Sequence, residues 1–427
     1  MIFFPELYHD ELMYSAFARY HHRSANENYK HTMYDLFSSN TVCASILFPT
    51  HLIRLSERMP RGVEITPYDI IRGHTFLPYY APFIPEERND QIVKLMELDN
   101  GAPLFMKLGR PASTVKRPQY LQYCVTCVEE ERALYGEAYW HRTHQAEGVL
   151  VCQIHLVKLE QSVVSARDQR NKHEFITLEQ AIARRPITNS SNAVHASAHL
   201  KYIAKQTYIL LNTWIDPLGL KDIHQYYISR LQRLDLATIS GRIRWIELIP
   251  RFIQFYGKEQ LLQLDSYIEV NDEATWLHKL LQKPRVSCHP LRHILMLGFL
   301  NEDINLMVEK ITMKNSHYAP FGEEPWPCLN PAADHYKTPV ISECKITRCS
   351  DTKKPVGTFV CTCGFVYSRR GPDQTSDDRF KIGRVKSYGE VWELKLQELS
   401  QSNISLRRKA ALLGCDPQTI KKKLNIT

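Results

Sequence analysis

Apolar positions recur at helical spacing along most of this chain, and the pattern lapses in two places. Leu12, Met13, Phe17 and Tyr20 fall on one helical face, with Asp10 placed to cap the helix. A second helix is predicted over His31 to Phe37. Pro49 opens a third, with Leu52, Ile53 and Leu55 on its apolar side. Thr66 followed by Pro67 starts a fourth containing Ile70 and Ile71. Pro85 with the acidic pair Glu86 and Glu87 starts a fifth that runs through Leu95 and Met96. From about Val115 to Leu159 this spacing yields to a stretch rich in Cys, His and aromatic residues. The polar run Ser165 to Asn171 reads as an exposed connection. Helical spacing resumes from His195 to about Ile311, as in Leu200, Ile203, Tyr208 and Leu211 or Leu291, Ile294 and Leu297. After Ala319 it lapses again: Pro320, Pro325, Pro327 and Pro331 break helices, and the β-formers Thr358-Phe359-Val360 and Phe365-Val366-Tyr367 follow. The last 35 residues return to helix.

These patterns predict a mainly α, multidomain chain. Its segments are helical residues 1–114, a Cys/His module at 115–165, a helical middle domain at 166–318, a second Cys/His module at 319–385, and a helical end at 386–427. A length of 427 residues suits several domains with buried cores. The net charge of +8 is ordinary for that length, but its distribution is uneven. Residues 337–427 hold 18 Lys and Arg against 9 Asp and Glu, while the first 336 residues hold 36 against 37. A basic excess confined to one end points to a polyanionic partner there. No apolar run approaches the roughly 18–20 residues a membrane span needs. The N-terminus lacks the basic flank and apolar stretch of a signal peptide. Eleven cysteines without such a signal are expected in a reducing cytosol, where close Cys pairs bind metal more often than they form disulfides.

The strongest local motif is Cys124-x2-Cys127-x24-Cys152-x2-His155. Three thiolates and an imidazole at this spacing can close tetrahedrally around Zn²⁺ and leave no open coordination position, which predicts a structural zinc centre. His141 and His144 lie between the pairs, beside Trp140 and Arg142, and are expected to support packing or a partner surface. A second, looser set is Cys328-x6-His335-x25-Cys361-x-Cys363. Cys344 and Cys349 lie within it, so four of these six residues would form a second, ribbon-like Zn²⁺ site. A catalytic zinc is disfavoured. His9-Asp10-Glu11 has the H-x-E form of nucleobase deaminases, but Tyr123 stands before Cys124 where proline is expected, and His155 would fill the open position. There is no H-E-x-x-H and no phosphate-binding G-x-x-x-x-G-K-[ST] loop. A zinc deaminase, a zinc protease of that motif and a phosphate-loop ATPase are therefore disfavoured.

Residues 405–424 carry a helix-turn-helix pattern. Ser405 caps a helix ending near Leu413, Gly414 supplies the turn, and Asp416 with Pro417 starts a second helix. Leu406, Ala410, Leu413, Ile420 and Leu424 would form its small core. Gln418 and Thr419 would face bases, and Lys421, Lys422 and Lys423 would meet phosphates of double-stranded DNA. Ser405, Arg407, Arg408 and Lys409 suit the flanking backbone.

With these residues in place, the chain resembles the TnsD/TniQ family of target selectors in Tn-seven-type bacterial transposons. The resemblance runs through Phe4-Pro5-Glu6-Leu7-Tyr8-His9-Asp10-Glu11 and His74-Thr75-Phe76-Leu77-Pro78. It is most specific in the first finger, through Tyr135-Gly136-Glu137-Ala138-Tyr139-Trp140-His141-Arg142 and Gly148-Val149-Leu150-Val151-Cys152. The segments around Cys328 to His335 and Gly357 to Arg369 resemble the longer TnsD branch. The resemblance implies a non-catalytic, nucleoid-associated protein of the bacterial cytoplasm. Such a protein binds a fixed chromosomal attachment site, near the end of the glucosamine-synthase gene, and recruits the AAA+ regulator TnsC and, through it, the transposase. The alternative is a TniQ-like adaptor that links a CRISPR effector complex to the transposition machinery. Longer relatives continue past the position of Thr427 with more DNA-binding sequence.

Overall fold

The computed structural model describes residues 1–424 apart from 44, 99–102, 110–113, 167–172, 186–196, 283–285, 314–318 and 353. Most of the connection expected at Ser165 to Asn171 lies outside the described residues. Helices dominate, as the apolar spacing predicts: 19 α-helices and eight short strands in three small sheets are present among the described residues. None of these helices is long and apolar enough to cross a membrane. The chain forms two compact units. Unit 1 is Met1–Leu231 with Ile243–Ser316, and unit 2 is Gln232–Arg242 with His317–Thr427.

Unit 1 is built around the helix Met13–Arg23, in which every residue from Met13 to Tyr20 is buried. Asp10 does not cap this helix. Leu12 occupies the N-cap position without a side-chain cap, because the Asp10 carboxylate is buried and engaged with Thr143 and Arg142 instead. The helix expected from His31 begins at Tyr29, where Asn28 accepts from the His31 amide. The helix expected to open at Pro49 begins later, at Leu52, with His51 in a left-handed conformation before it. Thr66 does start its helix, Pro67–His74: its hydroxyl accepts from the Asp69 amide, and Asp69 accepts from the Thr66 amide in return. Pro85 sits at the N-cap of Glu86–Glu97. In the middle of the chain, Ala198–Asn212 packs against Pro290–Phe299. Gly298 permits the approach, since a Cβ there would lie 2.5 Å from the Tyr256 hydroxyl and 3.0 Å from the Tyr202 ring.

Unit 2 contains a four-stranded antiparallel sheet in sequential order: Glu343–Arg348, Pro355–Val360, Val366–Arg370 and Arg384–Ser387. Phe359 and Tyr367 stack across two of these strands and pack with Phe321, Leu329, Ile341 and Phe365 on one face. The β-formers around Phe359 and Val366 predict the two central strands. The outer two are less visible, because their alternate positions hold polar residues, Glu343, Lys345 and Thr347 in one and Arg384 and Lys386 in the other. Three helices follow, Gly389–Ser400, Leu406–Leu413 and Pro417–Lys423. They share a core of Trp392, Leu396, Ala410, Leu413 and Ile420, and the Trp392 indole donates to the Leu413 carbonyl at 3.0 Å.

Candidate metal centres and a basic helical tail

Cys124 is the N-cap of the helix Val125–Tyr135, so Cys127 lies on its first turn beside it. Cys152 and His155 come from a tight turn in which the Leu156 amide returns to the Cys152 carbonyl. The four ligand atoms converge, all within 4.8 Å of one another. Cys127 Sγ lies 3.7 Å from Cys152 Sγ, and His155 Nδ1 lies 3.5, 3.3 and 3.6 Å from the sulfurs of Cys124, Cys127 and Cys152. A tetrahedron with Zn–S of about 2.3 Å and Zn–N of about 2.0–2.1 Å has edges of roughly 3.5–3.8 Å. The donor set therefore fits Zn²⁺ in both chemistry and spacing. The three thiols hydrogen-bond one another, which holds Cys124 below its ordinary range and pushes Cys127 and Cys152 above theirs. His155 Nε2 is 3.0 Å from a Glu130 carboxylate oxygen, which leaves Nδ1 as the metal-facing nitrogen. Glu130 did not stand out in the sequence. Its helical position three residues after Cys127 was the available signal.

The Cys124–His155 module is stitched to the N-terminal segment. The Arg142 amide donates to the Asp10 carbonyl at 2.7 Å, and the Leu12 amide donates to the Trp140 carbonyl at 2.9 Å. Buried Arg19 bridges Glu11 at 2.9 Å and Glu137 at 2.7 Å, and its guanidinium lies 3.9 Å over the Tyr8 ring. Burial alone would raise the Asp10 carboxyl, but His141 and Arg142 hold it well below the usual carboxylate range. Burial opposes a charge on His141, yet Asp10 and Glu131 raise it to about 9. Burial also lowers His144, to about 3. Both histidines are buried, so they serve packing and the buried charge network rather than a surface for a partner.

In unit 2, Cys328, His335, Cys361 and Cys363 likewise bring one ligand atom each within 4.8 Å of the others. Cys328 and Cys363 sulfurs are 3.8 Å apart, and Cys361 Sγ is 3.3 Å from His335 Nε2, again the edges of a zinc tetrahedron. Cys344 and Cys349 do not join this group. Cys344 is half-buried against the sheet core, and Cys349 follows the strand Glu343–Arg348. Burial works against the Cys363 thiolate, but Asn330, 3.5 Å away, and the Phe365 amide bring the thiol down to about 7. Asn330 is fully buried and was not singled out by spacing.

Both halves of this second group abut the terminal helices. A Cβ on Gly389, at the start of the helix Gly389–Ser400, would overlap Gly364 and lie 2.7 Å from the Cys363 carbonyl oxygen. A Cβ on Gly414 would lie 2.7 Å from the Pro331 ring. Gly389 has φ +78° and Gly414 φ +61°, both in the region that favours glycine.

Ser405 caps Leu406–Leu413 by accepting from the Arg408 amide at 3.3 Å, and Asp416 caps Pro417–Lys423 by accepting from the Gln418 amide at 2.7 Å. Arg407, Arg408, Gln418 and Lys422 are exposed, while Thr419 and Lys421 are half-buried. Two of the expected cations have partners inside the protein. Lys423 pairs with Glu393 at 2.6 Å, and Lys409 donates to the Ser400 carbonyl at 3.3 Å.

Two family models match this chain. A family model described as Tn7-like transposition protein D matches residues 203–426, and one described as TniQ matches residues 2–159. The transposon Tn7 transposition protein TnsD of Escherichia coli is 28% identical over 294 residues, 68% of this chain and 56% of that protein. The match thus spans little more than half the length of that relative.

Proposed function

Because this chain belongs to the family of Tn7-like transposition protein D, a family of non-enzymatic targeting proteins, we propose that it selects a transposition target by binding a specific duplex attachment site and recruiting a TnsC-type AAA+ regulator, and through it the transposase. The observation that carries the DNA-binding half is the pair of short basic helices after Ser405, joined at Gly414 over Ala410, Leu413 and Ile420. In this reading they are a helix-turn-helix. Gln418 and Thr419, in the first turn of the second helix, read base edges. Lys421 and Lys422 meet phosphates, and Arg407 and Arg408 hold the flanking backbone. Lys409 and Lys423 contribute less, being tied to Ser400 and Glu393.

Two Zn²⁺ ions would be held by the Cys₃His groups at Cys124, Cys127, Cys152, His155 and at Cys328, His335, Cys361, Cys363. Bound zinc would supply only structural crosslinks there, since four protein donors leave no position for a substrate. The match to the TniQ model over residues 2–159 supports assigning recruitment of the ATPase to the N-terminal region and first finger. It also fits the competing role of an adaptor on a CRISPR effector complex.

Fluorescence anisotropy of the full chain on fragments carrying a candidate attachment site, against random duplex, separates these readings. Site-specific binding that Gln418→Ala relaxes, and that Lys422→Ala weakens equally on all sequences, supports the selector. Absence of binding to naked DNA together with copurification of a guide-RNA complex overturns it in favour of the adaptor.

A further inference from the structure

The four-stranded sheet of unit 2 buries one face and leaves the other in water. Register fixes which residues lie there. Lys345 is opposite Thr358, which is opposite Ser368, which is opposite Arg384, while Arg370 is opposite Val356. Phe359, Tyr367 and Val385 take the alternate positions on the core face. Lys386 returns to the outer face, where its ammonium donates to the Thr358 hydroxyl at 2.8 Å.

Antiparallel sheets commonly solvate one face, and such faces usually mix charges of both signs. This face does not. Lys345, Arg370, Arg384 and Lys386 are all exposed, and none has an ion pair among the described residues. Glu343 is the single carboxylate on the face. The central strands also contribute the small Val356, Thr358, Val366 and Ser368, over which Lys386 reaches to Thr358, so the face is low and flat. Four strands at about 4.8 Å spacing span roughly 14 Å, on the scale of the ~12 Å major groove and the phosphate rows beside it. At one end Arg370 also lines a cleft of about 390 Å³ with Thr352, Lys354, Gln374, Asp378 and Lys381, where Lys381 pairs with Asp378 at 2.6 Å and Arg370 and Lys354 are the other cations of the lining. The last strand, Arg384–Ser387, leads through Tyr388 directly into the helix Gly389–Ser400, and Tyr388 packs on Trp392. The glycine contacts at Gly364 and Gly389 and the Pro331 contact at Gly414 fix that junction.

We propose that this outer sheet face is a second DNA-contacting surface. It holds the phosphate backbone of duplex DNA through Lys345, Arg370, Arg384 and Lys386, independently of sequence. The proposal rests on the DNA-binding reading above and extends the contact beyond the helix pair. It adds affinity and salt dependence without adding base preference.

The test is the salt dependence of binding by the full chain to a duplex of mixed sequence, with Lys345, Arg370, Arg384 and Lys386 all changed to Gln. Each lost phosphate contact lowers the slope of log K against log salt by about 0.9, so the quadruple variant should flatten it by roughly 2 to 4. Base preference, set by Gln418, should be unchanged. A charge-preserving pair, Arg370→Lys with Arg384→Lys, should keep the slope, and unaltered zinc content and melting temperature show that the variants fold. A folded quadruple variant with the parental slope overturns the proposal, leaving a merely solvated face. Loss of binding to single-stranded RNA or anionic vesicles with an unchanged duplex slope also overturns it, in favour of another polyanion. If the parent chain shows no sequence preference, the site-selector reading fails, while the slope on mixed duplex still decides this surface.

Discussion

Two histidines, His74 and His293, contribute to how unit 1 responds to acid. Burial pushes His74 down to about 4, with its Nδ1 2.8 Å from the Glu11 carbonyl oxygen. His293 is buried to completion, stacks on Phe83 at 4.0 Å and is pushed down to about 3. Both are neutral in the folded chain, whereas an unfolded histidine titrates near 6.5. Below pH 6.5 the unfolded chain takes up protons that the folded chain refuses, so stability falls with pH. The loss runs from 6.5 to about 4 for His74 and to about 3 for His293, then stops. Each accounts for roughly 3 to 5 kcal/mol at most. Urea midpoints measured from pH 7 to 4.5 should fall, and His293→Leu should make the fall shallower. An identical pH slope in that variant would remove His293 from the account. Neither residue carries a sequence pattern that marks it. Asp10 shows the same limit: its position before an apolar run reads as a cap, and only the fold reveals that Thr143 and Arg142, more than 130 residues away, claim its carboxylate.

At the scale of elements, the glycines beside the second Cys/His group decide how the terminal helices are held. Gly389→Ala would force a Cβ onto Gly364 at a backbone angle that disfavours any side chain. We expect a loss of about 1–3 kcal/mol in unit 2 and faster zinc release from Cys361 and Cys363 to a chelator, with the first site unaffected. Release kinetics followed with a colorimetric chelator would show it, and unchanged rates would mean the contact yields easily. The terminal helices were legible because their caps are local: Ser405, Gly414, Asp416 and Pro417 each act within three residues. The central strands were legible from Phe359 and Tyr367. The outer strands were not, since their lysines and arginines answer to a charged outer face and a partner strand rather than to β propensity. Spacing alone found both donor groups. It could not choose among six residues at the second, because the turns that bring Cys328, His335, Cys361 and Cys363 together, and leave Cys344 in a strand and Cys349 after it, join residues remote in sequence.

For the whole molecule, the expected metal content is two zinc ions per chain. Elemental analysis should find about one fewer in Cys124→Ser and about one fewer in Cys361→Ser, each loss confined to its own unit. Full zinc in both variants would refute both assignments. The first loss should also loosen the N-terminal helix, which is held to the Cys124–His155 module through Asp10 and Leu12 before it and Arg19 within it. The overall helical character and the basic end were readable from periodicity and charge. The grouping of the chain into units was not, because it depends on contacts between residues remote in sequence.

The residues Gln232–Arg242 belong to unit 2 although chain on both sides of them belongs to unit 1, so the backbone passes between the units three times. Asp235 in that excursion pairs with Arg348 of the sheet. This has a practical bearing on retargeting. Exchanging everything after residue 316 for the matching part of a relative would install a foreign sheet over a resident Asp235. A chimera that also exchanges 232–242 transplants the unit intact, so hybrids with a single splice point should be the less soluble of the two designs.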